Sequence, residues 1–263
     1  MPIPPSDDHA ALVPFTPRAE RRLRVFGGEV SLVLAPERAR RPGRVGPDRP
    51  ALAPSRAARI VAEEALWRDE GLVVTPNLHP FGRRHRLLWM AAPVREPDAA
   101  FWTAALDWAE REQGSVLLNN IGSAATIARA HAHLLAERQT FLAALPERPL
   151  VTPPIEVPEG CELVQKNVPF CAVGARGAPA AVATALVRLA EARLTPSWNV
   201  VAEAGVAWVL PRHLETPTPW FPLPLGAAEL WGRWCHIDEE MFLAASGADL
   251  EQALVDAVAP ALD

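Results

Sequence analysis

Tyrosine is absent from this chain, and Lys166 is its only lysine, arginine supplying every other basic side chain. A surface that grips nucleic acid needs a dense basic face with aromatic rings interleaved for base stacking. With no tyrosine and a formal net charge of -5 the chain offers neither, and nucleic acid is excluded as a partner. Cysteine is scarce: Cys161, Cys171 and Cys235 are odd in number and nowhere show a two-residue ligand spacing. That leaves no disulfide framework and no zinc knuckle, only reduced packing residues, and neither metal nor cofactor is expected. Long apolar runs are missing too. None approaches the roughly 20 residues of a membrane span, so no membrane partner is expected. Met1-Pro2-Ile3-Pro4-Pro5-Ser6-Asp7-Asp8 lacks the basic and apolar parts of a signal peptide, which makes the cytoplasm the expected compartment.

What is present is ample core material: 263 residues, 49% of them hydrophobic, for one large or two small domains. Charge is unevenly divided, residues 1–90 holding 15 arginines against 10 acids and residues 91–263 holding 11 basic residues against 21 acids. An anionic ligand is met more easily by the first part. Arginine abundance marks no phosphate site by itself, because genome composition produces it as readily as function does.

Prolines and polar residues dominate 1–20, which reads as a loose arm; a strand over 29–34 and a broken loop over 38–54 complete an N-terminal segment, 1–54. Ser55 caps a helix to about Asp69, ended by Gly71. Strands at 72–75 and 86–90 flank a polar loop, Asp98 caps a helix to about Gln113, and an apolar strand covers 115–119. Five prolines between 146 and 158 divide a unit at 55–150 from another at 151–263. The second unit repeats the rhythm, with extended chain at 161–174, a helix at 178–194, a hairpin over 200–202 and 206–210, a proline-rich loop and a helix at 248–261. Strands mixed with separated helices predict an α+β fold, and no period of 20 to 50 residues supports a solenoid.

His131-Ala132-His133, just after Asn119-Asn120-Ile121-Gly122, is the most informative motif. Imidazole is the side chain best suited to act near neutral pH as base, ligand or nucleophile. Two imidazoles spaced by two residues share a face only on a strand; on a helix they diverge by roughly 200°. Local composition argues the other way. Ala124 to Arg138 is rich in helix formers, with Ile127, Ala130, Leu134, Ala136 and Phe141 as an apolar stripe. From these residues two readings stand, a reaction centre on a strand or two polar residues on an amphipathic helix of an unrelated binding module.

Several segments bear on the choice. Asn77-Leu78-His79-Pro80-Phe81-Gly82-Arg83-Arg84-His85-Arg86-Leu87-Leu88 precedes Asn120-Ile121-Gly122 and His131-Ala132-His133. Asn167-Val168-Pro169-Phe170, then Trp198-Asn199-Val200-Val201 through Trp208-Val209-Leu210-Pro211-Arg212, and finally Leu225-Gly226-Ala227-Ala228-Glu229-Leu230-Trp231-Gly232 follow. Their order resembles the branch of the histidine-triad (HIT) superfamily that contains galactose-1-phosphate uridylyltransferase, diadenosine tetraphosphate phosphorylase and the GDP-hexose phosphorylases. The resemblance implies the strand reading and an α+β, HIT-like fold: antiparallel sheets with flanking helices, two related halves in one chain, the first carrying His-x-His and the second degenerate.

It also implies a chemistry. In that family the second histidine attacks the phosphorus bonded to a nucleoside, and a second phosphate or sugar phosphate resolves the nucleotidyl-histidine. The nucleophile is then expected at His133, with His131 binding or orienting the phosphate and His85 behind them. Asn77, Asn120, Gly122 and Arg129 are the expected substrate contacts, Gly122 by letting backbone amides approach phosphate. The implied function is a nucleotidyltransferase or phosphorylase acting on a nucleoside diphosphate sugar or a dinucleoside polyphosphate. Its partner would be that nucleotide substrate. A homodimer stays open on the residues themselves, because Trp220 and Trp231 lie in or near loops where a stacking platform or a dimer contact would fit.

Two places depart from the family. A serine usual three residues before the first histidine is Ala128 here, and a glutamine usual two residues after the second is Leu135. Losing one such donor costs on the order of 3 kcal/mol of transition-state stabilisation. The alternative function is therefore a nucleotide-binding protein of the same fold with decayed catalytic support, unless Arg129, Arg138 or Glu137 compensates. The family's Cys-x-x-Cys is also missing, so no zinc is predicted, and His79 and His85 read as turn histidines.

Overall fold

The computed structural model describes residues 2–5, 12–40, 56–69 and 71–262. In chain order its elements are β1 (Ala19–Val25), β2 (Gly28–Leu34), α1 (Arg56–Glu63), β3 (Trp67–Arg68), β4 (Leu72–Pro76), β5 (Arg86–Met90), α2 (Ala99–Glu112), β6 (Ser115–Asn119), β7 (His131–Leu135), α3 (Phe141–Ala144) and β8 (Glu147–Pro149). The chain continues with β9 (Cys161–Lys166), β10 (Val173–Gly177), α4 (Pro179–Ala192), β11 (Ser197–Glu203), β12 (Val206–Arg212), α5 (Ala227–Trp231), β13 (Arg233–His236), α6 (Glu239–Ala244) and α7 (Gly247–Ala257).

One antiparallel sheet runs β3-β4-β5-β7-β6-β11-β12-β10-β9-β8, and a smaller one runs β1-β2-β13. The large sheet winds the same way twice. Hairpin β4–β5, helix α2 and hairpin β6–β7 give the order β4-β5-β7-β6; hairpin β9–β10, helix α4 and hairpin β11–β12 give β9-β10-β12-β11. These are the two related halves, joined where β6 pairs antiparallel with β11 and Asn119 faces Asn199.

Local chemistry explains the two equivalent helices. The Asp98 carboxylate accepts from the Phe101 N–H at 2.8 Å to cap α2, and Gln113 in the left-handed region closes it. Pro179 opens α4, where a missing N–H costs nothing. Phe101, Trp108, Ala105 and Ala109 of α2 and Val182, Leu186 and Leu189 of α4 bury one stripe against Leu88, Ala132, Leu134, Val200 and Val209 of the sheet. Each large side chain so buried contributes about 2–3 kcal/mol. On the opposite face the halves differ. In the first, α1 lays Ala57, Ile60 and Val61 over Val73, Leu87 and Trp89. In the second, the small sheet with α3, α5 and α7 buries Trp208, Leu210 and Val164.

Three expectations are corrected. The arm over 1–20 is not loose where it is described: Ile3 is buried, Arg86 donates to the Pro4 and Pro5 carbonyls, and Arg111 donates to that of Ile3. Proline carbonyls serve the buried guanidinium of Arg86, which no periodicity reveals. Residues 19–25, which begin inside that arm, pair with β2 as β1. The helix expected to reach Asp69 ends at Glu63, because Trp67 and Arg68 pair with Val74 and Val73 instead. Ser55 and most of the 38–54 loop lie outside the described residues. Among those that are described, no helix is long and apolar enough to cross a membrane.

His236 at the end of β13 is buried edge-on against Phe221 and Phe242, and neither ring nitrogen has a hydrogen-bond partner among the described residues. Burial, helped by Arg21 and opposed by Asp238, pushes its imidazole down to about 4 from an ordinary 6.5. The unfolded chain therefore takes up a proton that the folded chain refuses. Stability is full above about pH 6.5, falls as pH drops through that window, and levels off below about 4, a loss of about 3 kcal/mol. We predict that His236→Leu flattens this dependence in urea titrations run from pH 7 to 4; an unchanged slope would remove the burial account.

Candidate active site

β7 lies between β5 and β6, so both of its edges are hydrogen-bonded. Ala132 and Leu134 point into the helix layer, and His131 and His133 emerge on the opposite face. Tertiary pairing thus overrides the helix propensity of the segment. In register, His133 stands beside Leu87 and Leu117, and His131 beside Trp89. Residues paired across strands share a face. The two imidazole centroids are 5.5 Å apart.

His131 is fixed first by the chain just before its strand. Its Nδ1 is 2.9 Å from the Arg129 carbonyl oxygen, and its ring stacks on the Trp89 indole, 4.6 Å between centroids with planes 24° apart. Trp89 is set in turn by a 2.9 Å hydrogen bond from Nε1 to the Thr75 hydroxyl.

His133 is fixed from the neighbouring loop. Its Nδ1 lies 2.9 Å from Nε2 of His85, and the Phe81 ring meets both imidazoles edge-on. The Phe81 N–H donates to Nδ1 of His85 at 3.2 Å. Asn77 holds the His79 N–H on its carbonyl at 2.9 Å and lays its amide nitrogen against the His85 ring, 3.3 Å from Nδ1 and 2.9 Å from Nε2. So near to both nitrogens, that amide lies on the line of neither lone pair and meets the ring as a weak amide–aromatic contact.

Two arginines pin this loop. Arg38 donates to the His79 and Pro80 carbonyls at 2.7 and 2.8 Å, and Arg233 donates to that of Phe81 at 3.0 Å. Arg233 also grips Glu137 with two bonds of 2.6 and 3.0 Å, and Glu137 accepts from the Arg83 N–H. Glu137 therefore holds the turn, not an imidazole. A Cβ at Gly82 would meet the side chains of Glu137 and Leu135 and push them aside.

The outer side of His133 faces Asn119, whose amide nitrogen is 3.5 Å from its Nε2. The Asn119 carbonyl accepts from Asn199 and from the Ala227 N–H, both at 2.8 Å, which settles the way the amide points. Asn199 in turn accepts from Arg212 at 2.6 Å. Arg212 is buried and donates further to the Ala257, Leu225 and Leu214 carbonyls. Burial pushes its guanidinium down to about 10, with Glu229 and Glu215 holding it up, so it stays charged at neutral pH.

The structure thus joins Asn77, His85, His131 and His133 in one cluster. Arg129 touches that cluster through its carbonyl; its guanidinium is buried against the Met90 and Ala91 carbonyls, and burial lowers its pKa. Asn120 and Gly122 lie in the turn after β6. There the Ser123 N–H is taken by the Asn120 carbonyl and the Ala124 N–H by Glu215, while Gly122, at φ +85°, packs on Ser197. Beside this turn a small cleft is lined by Arg95, Asn120, Ile127, Arg129 and Trp198. Sequence reasoning missed Asn119, Asn199, Arg212, Phe81 and Trp89 as site-builders. Asn199 and Arg212 stood inside quoted segments, and Asn119 sits next to Asn120, where strand alternation could have singled it out. Leu135 is buried in the core beside Phe81. Among the described residues no group of three or more His, Cys, Asp or Glu side chains is arranged to hold a metal ion.

No family model and no curated protein matches the chain in sequence. The double winding and the sheet's flanking helices are those of the HIT-like α+β class. In particular, the chain is similar in structure to yeast Ap4A phosphorylase Apa2 in complex with Ap4A, with a TM-score of 0.67, 15% identity, and coverage of 93% of this chain and 90% of that one. The same enzyme in complex with AMP matches with a TM-score of 0.67, 16% identity, and coverage of 93% and 89%.

We predict that Asn199→Leu, which strips one acceptor from buried Arg212 and one donor from Asn119, lowers the unfolding free energy by about 2 kcal/mol. Chemical denaturation would show this, and a variant as stable as the parent would mean the relay contributes nothing to stability.

Proposed function

We propose that the chain is a nucleotidyltransferase or phosphorylase that takes a nucleoside monophosphate from a nucleoside diphosphate sugar or a dinucleoside polyphosphate and passes it on through a nucleotidyl-histidine. The observation that carries this reading is the imidazole pair on β7, each ring held at its inner nitrogen by a fixed partner 2.9 Å away. The structural likeness to a phosphorylase that holds Ap4A or AMP supports the substrate class.

The chemistry follows from charge. A neutral imidazole nitrogen approaches an anionic phosphoryl group without the repulsion an anionic nucleophile meets, and covalent catalysis divides one displacement into two. In the first, a nitrogen–phosphorus bond forms while the bond from phosphorus to the leaving phosphate oxygen breaks. In the second, an oxygen of inorganic phosphate or a sugar phosphate attacks, and the imidazole leaves with its electron pair. Donors fixed in advance around the phosphoryl oxygens supply most of the stabilisation in such steps. Asn119, aimed by its contacts with Asn199 and Ala227, is suited to that role.

Incubation with diadenosine tetraphosphate and with a panel of nucleoside diphosphate sugars, quenched in alkali, tests this. We predict an acid-labile mass increase of one nucleoside monophosphate, and nucleotide release once inorganic phosphate is added. The double variant His131→Ala/His133→Ala should lose both, with turnover down about 10⁴-fold or more. Undiminished turnover in that variant would sink the reading. A second reading, nucleotide binding without turnover, is favoured by Leu135, whose buried apolar side chain brings no donor to the site. A thermal shift with nucleotide but no adduct would select it.

A further inference from the structure

We propose that the arm at residues 2–5 braces the imidazole cluster from the far side of the sheet, and that Arg86 is the positioning residue through which it acts. Any effect of the arm on turnover presupposes the proposed nucleotidyl transfer, whereas its effect on the placement of His85 does not.

Side chains alternate along β5. Leu87 and Trp89 lie on the face of the sheet that carries His131 and His133, while Leu88 packs into the helix layer. Arg86, two residues before Leu88, shares its side of the sheet. It is fully buried there, with its guanidinium 5.3 Å from the centre of the Trp108 ring of α2. A cation inside an apolar layer is tolerable only where its N–H groups find acceptors. The arm brings two, the Pro4 and Pro5 carbonyls, which take Nη1 at 3.2 and 3.3 Å. Arg111 of α2 holds the arm at a third carbonyl, that of Ile3, at 2.8 Å, and the Ile3 side chain is buried in the same helix layer.

The residues of the arm suit this task. Proline has no N–H, so a Pro-Pro pair joins no ladder as a donor, and its carbonyls remain open to a side chain. Its rings preset φ, and Pro5 steers Pro4 into extended backbone, so little freedom is lost on docking. Docking is held by one buried isoleucine and three carbonyl contacts, few enough that a single side chain decides it.

Arg86 follows His85 directly. In the pairing of β5 with β7 it stands opposite Leu134, and Leu87 stands opposite His133. The loop that carries His85 is thus anchored at both ends. Arg38 and Arg233 hold the carbonyls of His79, Pro80 and Phe81, and Arg86 holds the exit into β5. When the arm leaves, Arg86 loses two acceptors and the start of β5 shifts toward whatever replaces them. His85 shifts with it, out of its 2.9 Å contact with Nδ1 of His133 and its packing 4.3 Å from the Phe81 ring centre.

Diethyl pyrocarbonate acylates accessible imidazoles, and peptide mass spectrometry reads each histidine separately. His85 is 1% exposed and His236 in the small sheet is 2% exposed, so His236 serves as the control for the fold as a whole. We expect Ile3→Asp, whose carboxylate resists burial, to raise the rate at His85 at least about 10-fold and to leave His236 unchanged. Ile3→Val should behave as the parent. Arg86→Met fills the same space without donors, and in that background Ile3→Asp should change the rate at His85 less than about 2-fold. With diadenosine tetraphosphate, Ile3→Asp should lower kcat about 10-fold and keep KM within about 2-fold. Unchanged modification of His85 in Ile3→Asp would overturn the brace, and so would an equal rise at His236. An undiminished effect of Ile3→Asp in the Arg86→Met background would overturn the role of Arg86, and a freed His85 with kcat unaltered would overturn its bearing on turnover. A freed His85 in a chain whose parent turns over no nucleotide would overturn the proposed function and leave the brace standing.

Discussion

A buried guanidinium organises this molecule. Arg212 lies at the end of β12 and spends its donors on neutral oxygens, three of them the carbonyls of neighbouring Leu214, of Leu225 and of distant Ala257, and the fourth the side chain of Asn199. A charge taken out of water is tolerable only if its donors are met. Here that requirement fastens the end of α7, the loop before α5 and the seam between β6 and β11 to one point. The seam then hands the constraint on, because Asn199 with its acceptor occupied can only donate to Asn119. An orientation that an isolated asparagine would choose freely is imposed on it from the second half of the fold.

The first half contributes the complementary constraint. His85 takes the Phe81 N–H at one nitrogen and meets His133 with the other, so a peptide group, not another titrating side chain, fixes where its ring stands. The peptide stays where it is because Arg38 and Arg233 anchor the carbonyls around it, and Arg233 is itself clamped by Glu137. Two arginines far apart in sequence therefore hold the loop that sets His85 against the imidazole pair.

Much of the scaffold was legible beforehand. Asp98 as a cap, the apolar run at 115–119 and the glycine at 205 declared α2, β6 and the β11–β12 turn through local chemistry alone. β7 was not legible from composition, since alanine and leucine favour a helix until strands on both sides supply their hydrogen bonds. The edge strands β1 and β3 escaped for a related reason: each is short or polar and exists by pairing with a neighbour. In the site, the imidazoles were visible as a motif, but Arg212 and Asn199 read only as parts of a segment. Their role depends on contacts with residues as remote as Ala257, which no local spacing encodes.

The indole stacked on His131 has a consequence for anyone watching the protein work. An excited indole passes an electron to a cationic imidazole far more readily than to a neutral one, so Trp89 should dim whenever the ring it covers becomes positive. Trp89 is buried and hydrogen-bonded to Thr75, sheltered from changes in bulk solvent. The fold thus carries its own optical gauge of the charge on one imidazole.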